Sequence, residues 1–152
     1  MKNISLLEID DVDRLIIDSL VSNARITNAE LAAKAGIAQS TCIQRVRNLV
    51  NAGVIEGFHA QVNQSALGLG MQVLISVTLR AGARAQLNQF METLKTVPGV
   101  TQLFFLGGSE DFIIHLAAKD SNAVRDFVLD NLSANPAVAN TRTNMIFEHV
   151  RV

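Results

Sequence analysis

The sequence predicts an α+β chain in two unlike parts: a trio of short helices, then strands and helices in the order βαββαβ. Two observations carry this. Between Thr27 and Gly53 a helix-start signature, a glycine and a second apolar-periodic run follow one another with room only for a short turn. Further on, the only two prolines of the 152-residue chain, Pro98 and Pro136, stand at matching points of an internal repeat. Leu94 and Val100 flank the first as Leu132 and Val138 flank the second, and each proline sits where a helix must stop and a strand begin.

The elements follow in order. In IDDVDRLIIDSLVSNAR, Val12, Leu15, Ile16 and Leu20 recur at helical spacing, and Asp10, Asp11 and Asp13 crowd the first turn, where the helix dipole favours acids. This first helix supplies apolar surface for two shorter ones. Thr27 with Glu30 three residues on is a capping box, so a second helix starts there. It runs through Leu31, Ala32 and Ala35 and ends at Gly36, a residue type suited to the left-handed conformation past a helix end. A third helix is predicted from about Gln39 to Ala52, with Cys42, Ile43, Val46, Leu49 and Val50 on one face.

To its other face the pattern assigns Gln39, Ser40, Thr41, Gln44, Arg45, Arg47 and Asn48, residue types that hydrogen-bond base edges or phosphates. Two helices joined by a short turn with such an outward face form a helix-turn-helix, the arrangement that reads DNA. A plain helix pair with a solvated face is the alternative. Charge favours the first reading. From Leu31 through Ile55 the chain holds Lys34, Arg45 and Arg47 and no acid, although its formal net charge is −1. DNA binding needs a basic surface rather than a basic protein. Val54 to Val62, VIEGFHAQV, reads as a short strand, which makes the predicted unit a winged helix-turn-helix.

The small and glycine residues of QSALGLG, Gln64 to Gly70, mark a hinge, so the expected division is a DNA-binding domain over 1–60, a linker over 61–70 and a second domain over 71–152. In the second domain strands are expected at about Met71–Leu79, Val100–Leu106, Asp111–Ala118 and Val138–Val150, with helices at about Arg84–Val97 and Asn122–Ala134. Leu87, Phe90, Met91, Leu94 and Val97 stripe one helix, and Val124, Phe127, Val128 and Leu132 the other. Both helices then cover one side of a sheet, the split-βαβ, ferredoxin-like arrangement. The other side is too apolar for water: VLISV, FFL and FIIHLAA leave Leu74, Phe105, Ile113 and Ala117 exposed in a monomer. Such a patch marks an interface, and a dimer by face-to-face sheets is expected, bringing two DNA-reading heads to a two-fold site.

Composition and motifs exclude other classes. With 49% hydrophobic and 18% charged residues the chain is globular rather than disordered. No stretch approaches the ~20 apolar residues of a membrane span, and MKNISLLEIDD lacks the pattern of a signal peptide, so a cytoplasmic protein is expected. Cys42 lies on a helical stripe and reads as a buried structural thiol. His59, His115 and His149 are scattered, with no metal-ligand spacing, and no acid–base or nucleophilic set can be placed, so no catalytic residue, metal or cofactor is expected. FLGGSEDF is no phosphate loop. Gly107, Gly108, Ser109, Glu110 and Asp111 could meet a small molecule's ammonium, although a hairpin turn is the simpler account of them.

The chain as a whole resembles the Lrp/AsnC, or feast/famine, family of transcription regulators. IDDVDRLIIDSL resembles its opening helix, TNAELAAKAGI its second, and CIQRVRNLVNAGVIEGFHAQVN its RVRxLxxxGxIxGYxAxxN segment, through Arg45, Arg47, Gly53, Ile55 and Gly57. VPGV, the GGSEDF loop and the closing NTRTNMIFEHV resemble its effector domain. The resemblance implies a bacterial or archaeal, nucleoid-associated regulator of double-stranded DNA whose C-terminal RAM-type domain forms dimers, often octamers of four dimers. It also implies an amino-acid effector near Leu106, Gly107, Gly108, Ser109 and Asp111, with Thr141 and Thr143 close by. An architectural protein that wraps DNA is the alternative; a small-molecule enzyme is a remoter one. Ala38 and Gln39 stand where the family usually has Ser-Pro, so Ser40 is expected to cap a slightly later helix start. Ser109 and Phe112 replace a family Asp and Tyr.

Overall fold

The computed structural model describes residues 8–150; the first residues of MKNISLLEIDD lie outside them. The chain divides between Gln61 and Val62 into two compact units. In the first, α1 spans Asp11–Ser22, α2 Asn28–Ala35 and α3 Gln39–Asn51. Each start has a local cause. Asp10 caps α1 by accepting from the Asp13 amide at 2.8 Å, and Asp13 returns the contact to the Asp10 amide at 3.4 Å. Thr27 and Glu30 do the same for α2, at 3.2 and 2.9 Å. Gly36 ends α2 at φ +65°, where a side chain would be strained. Ile16, Leu31, Ala32, Cys42 and Leu49 form the core, and Cys42 is the buried thiol expected, its pKa pushed up by burial.

Two expectations fail here. Ser40 does not cap α3: the helix starts at Gln39 with Ala38 as its N-cap and no side-chain hydrogen bond. Residues 54–62 form no strand. The β-branched composition is there, but no strand among the described residues of this unit is available to pair with it, and a lone strand does not satisfy its backbone groups.

The second unit is the βαββαβ arrangement: β1 Met71–Leu79, α4 Leu87–Leu94, β2 Val100–Phe105, β3 Phe112–Ala118, α5 Ser121–Phe127 and β4 Val138–Ile146. The strands form one antiparallel sheet in the order β2-β3-β1-β4. Val73, Ile75, Val77 and Leu79 of β1 join Phe112, Ile114 and Leu116 of β3 beneath Phe90, Leu94, Val124, Phe127 and Leu132 of the helices. Phe90 and Phe112 meet edge to face at 5.5 Å, the geometry favoured by the ring quadrupoles.

The helices are shorter than the stripes predict. A 3₁₀ turn, Ala83–Gln86, precedes α4. α5 widens into a π-helical turn over Val128–Ser133. There the Asn131 side-chain amide donates to the Phe127 carbonyl at 3.0 Å, the acceptor an α-helix reserves for the Asn131 backbone N–H.

Register corrects the reading of the uncovered face. Phe105 pairs with the buried Phe112 and so points to the helix side, exposed because β2 is an edge; Phe104, opposite Ile113, takes its place. Ala117 is buried rather than exposed, because Gly99 lies against it: Ala117 N–H donates to the Gly99 carbonyl at 2.8 Å. A Cβ on Gly99 would stand 2.7 Å from the Ala117 carbonyl oxygen, at φ +88°. Gly99→Ala is therefore expected to cost about 1–3 kcal/mol from backbone strain alone. Gly107→Ala, with open space at its Cβ position, should stay within about 0.5 kcal/mol. Urea unfolding midpoints of the two variants check the contrast.

Candidate DNA interface and effector loop

α3 presents its polar residues as the spacing requires, with one exception. Gln39, Ser40, Thr41, Gln44, Arg47 and Asn48 are all exposed. Gln44 Nε2 donates to Asn48 Oδ1 at 2.9 Å, so these two amides are already aligned along the helix. Among the described residues, Arg47 enters no ion pair.

Arg45 is the exception. It lies three residues after Cys42 and four before Leu49, on the stripe that packs inward. Its Nη1 sits 2.8 Å from Asp10 Oδ2 and 2.8 Å from Asp13 Oδ1. The Asp13 side chain is 8% exposed. The Asp10 carboxyl is held below its ordinary range, first by the Asp13 backbone N–H and then by Arg45. The two carboxylates in turn push the Arg45 guanidinium up. The sequence signal was present in the Asp-x-x-Asp spacing of an N-cap and its N3 residue, but nothing in it named Arg45 as partner.

The effector-loop residues gather at one end of β1. Val77 pairs with Phe112 on one side and Thr141 on the other, and Thr143 lies opposite Ile75. The 106–111 turn is pinned there: Leu106 N–H donates to the Asp111 carbonyl and Asp111 N–H to the Val77 carbonyl, both at 3.0 Å. Asp111 Oδ2 accepts from the Leu79 amide at 2.7 Å. The Asp111 carboxylate, expected to be offered to a ligand, is thus engaged in bracing the sheet end. Gly107, Gly108 and Ser109 are exposed, and neither glycine has anything within 4 Å of its Cβ position. Its neighbour Glu110 accepts from Ser109 Oγ at 2.8 Å and lies 3.9 Å from Arg142 Nη1.

On the uncovered face a cavity of about 390 Å³ is lined by Leu74, Gln102, Phe104, His115, Ile146, Glu148 and His149. His115 is buried, with Nε2 3.0 Å from Gln72 Oε1 and its ring edge-to-face with His149 at 6.4 Å. Among the described residues no cluster of histidine, cysteine or carboxylate could hold a metal ion, and no helix is long and apolar enough to cross a membrane.

A helix-turn-helix pair followed by a ferredoxin-like βαββαβ domain is the class of protein these two units define. The Lrp/AsnC ligand binding domain profile matches residues 72–151, and that of winged helix-turn-helix DNA-binding domains matches residues 9–56. The HTH-type transcriptional regulator AldR of Mycolicibacterium smegmatis is 45% identical over 99% of this chain and 88% of its own length. The crystal structure of MtbAldR has 42% identity and a TM-score of 0.77, covering 94% of this chain and 97% of that one. A transcriptional regulator from Neisseria meningitidis, solved as a complex with L-Met, has 28% identity and a TM-score of 0.84 over 94% of this chain and 92% of its own. This chain belongs to the Lrp/AsnC family of DNA-binding transcription regulators.

Burial, and after it the neighbouring His149, holds the His115 imidazole below its ordinary value of 6.5. The fold therefore prefers neutral His115. Its contribution to stability is complete above about pH 6.5 and drains away as pH falls through that value towards the lowered one. The melting temperature of the parent chain should drop as pH is lowered through this window, and that component should be lost in His115→Gln.

Proposed function

We propose that the chain reads operator DNA as a symmetric dimer through the outward face of α3, under control of a small molecule of the amino-acid class. The observation that carries this is the exposed, acid-free set Gln39, Ser40, Thr41, Gln44, Arg47 and Asn48 on one short helix. Arg47 neutralises phosphate, and the shorter side chains face base edges. Residues 1–60 carry this role, 61–70 connect, and 71–152 assemble and sense. The dimer forms by the uncovered sheet face, where Leu74, Phe104, Ile113 and Ile146 lie among polar neighbours. Octamers of four such dimers fit the resemblance set out above. The protein works in the cytoplasm, in association with the nucleoid, and is not an enzyme.

The effector reading draws on the exposed backbone at Gly107 and Gly108, beside Leu106, Ser109, Asp111, Thr141 and Thr143. It draws also on the L-Met bound by the Neisseria regulator. Asp111 shapes this site rather than binding with a free carboxylate, and Glu110 is the better-placed acid.

Two measurements test these statements. Log binding constant against log salt, on a short duplex enriched by the protein from a random pool, should lose about 0.9 of slope per phosphate contact in Arg47→Ala. The loss is expected to be about twice that for a dimer; a loss of only about 0.9 would remove the dimer, and none would remove Arg47. A thermal-shift screen of the standard amino acids should show at least one that raises the melting temperature, by the equivalent of about 2.7 kcal/mol at a hundred times its Kd. A flat screen would remove the effector.

A further inference from the structure

We infer that Arg45 is a positioning residue for DNA recognition, a strap that ties α3 to the start of α1, and that it does not touch DNA. The inference rests on the reading of α3 as the DNA-facing helix.

Three observations carry it. First, all four carboxylate oxygens are engaged. Asp10 Oδ1 accepts from the Asp13 amide and Oδ2 from Arg45; Asp13 Oδ2 accepts from the Asp10 amide and Oδ1 from Arg45. Pulling the guanidinium away towards a phosphate would open a network that also caps α1. Second, Asp13 is the buried carboxylate of this unit among the described residues. Without Arg45 its charge would be buried beside no cation, a strongly destabilising arrangement. A phosphate would have to outbid that loss from the far side of the helix. Third, α3 lacks a side-chain cap at Ala38. Its placement depends on what grips it further along: Cys42 and Leu49 through packing, and Arg45 through charge.

The electrostatics point the same way. Arg45, Asp10 and Asp13 together carry a net charge of −1, so the group has no attraction for DNA and leaves phosphate neutralisation to Arg47. The role of Arg45 is to set the pitch at which Thr41, Gln44 and Asn48 meet the bases. A strap of this kind acts on discrimination between sequences, whereas a phosphate contact acts on all sequences alike.

The test uses the full chain and two labelled short duplexes, one of random sequence and one enriched from a random pool by the parent protein, titrated across a range of salt. Arg45→Ala and Asp13→Asn should each lower the preference for the enriched duplex by roughly ten-fold while keeping the parent's salt slope on the random one. The double variant should be no worse than either single change. Asp13→Asn keeps the shape of the side chain and one acceptor oxygen, so the outcome does not hang on Arg45→Ala folding. A salt slope for Arg45→Ala that falls as far as that of Arg47→Ala overturns the strap alone, as does full preference in Asp13→Asn. An unchanged slope in Arg47→Ala removes the reading of α3 and the strap with it, so the two failures are distinguishable.

Discussion

Alternation along β1 governs most of what the second unit can do. β1 is an inner strand, paired with β3 on one side and β4 on the other, so its phase sets theirs. Once Val73, Ile75, Val77 and Leu79 go under the helices, Gln72, Leu74, Ser76 and Thr78 must face away. The same rule sends Phe112, Ile114 and Leu116 inward and His115 to the open face, and it places Thr141 beside Val77. A slip of one residue would exchange the two faces and expose the whole core. The effector loop inherits this rigidity, because its Asp111 is bonded to the backbone of Val77 and Leu79 on that strand.

The first unit solves a different problem. Its helices are short, and short helices in water owe their persistence to capping and to packing rather than to their own hydrogen bonds. α1 and α2 each have a reciprocal capping box. α3, the helix with the most exposed polar work, has none. The Arg45 contacts lie in the middle of α3, so what they fix is its angle rather than its first turn.

The contrast between what was readable in the sequence and what was not follows from the range of each signal. Thr27 with Glu30, Gly36 and the proline-marked repeat are local, and the elements built on them are present in the expected order, although α4 ends at Leu94 and β4 at Ile146, short of the expected Val97 and Val150. The order βαββαβ follows from such signals too. Failures occur where a partner decides. VIEGFHAQV has strand composition, but a strand is a relation between two segments, and the described residues of this unit offer no second one. Phe104 and Phe105 are neighbours of the same type, so composition cannot tell which faces the helices; Phe112, across the ladder, decides. Arg45 was grouped with polar residues for its charge, although its spacing from Cys42 and Leu49 places it on the inward stripe. Asp111 looked available because nothing in GGSEDF reveals that Leu79 lies within reach. Among candidate site residues the exposed set on α3 was legible and the acids were not, since a carboxylate's role is set by the donor that reaches it.

The open sheet face bears on how such a regulator could be regulated. Leu74, Phe104, Ile113 and Ile146 are interspersed there with Gln72, Ser76, Thr78, Asn140, Arg142 and Asn144. An obligate interface resembles a domain core cut in half, with far fewer polar side chains. A mixed face associates while leaving each partner soluble, so its equilibrium can be moved by a few kcal/mol, the scale on which a bound effector acts. Arg142 stands on that face and reaches towards Glu110 of the loop, so charge placed at the loop is felt at the face. In the proposed dimer, a zwitterionic ligand settling near Gly108 would compete with the long Glu110–Arg142 pair and thereby alter the charge presented between subunits. Two heads held by such a face bind a two-fold site with the specificity of both, and lose that advantage when the face is weakened.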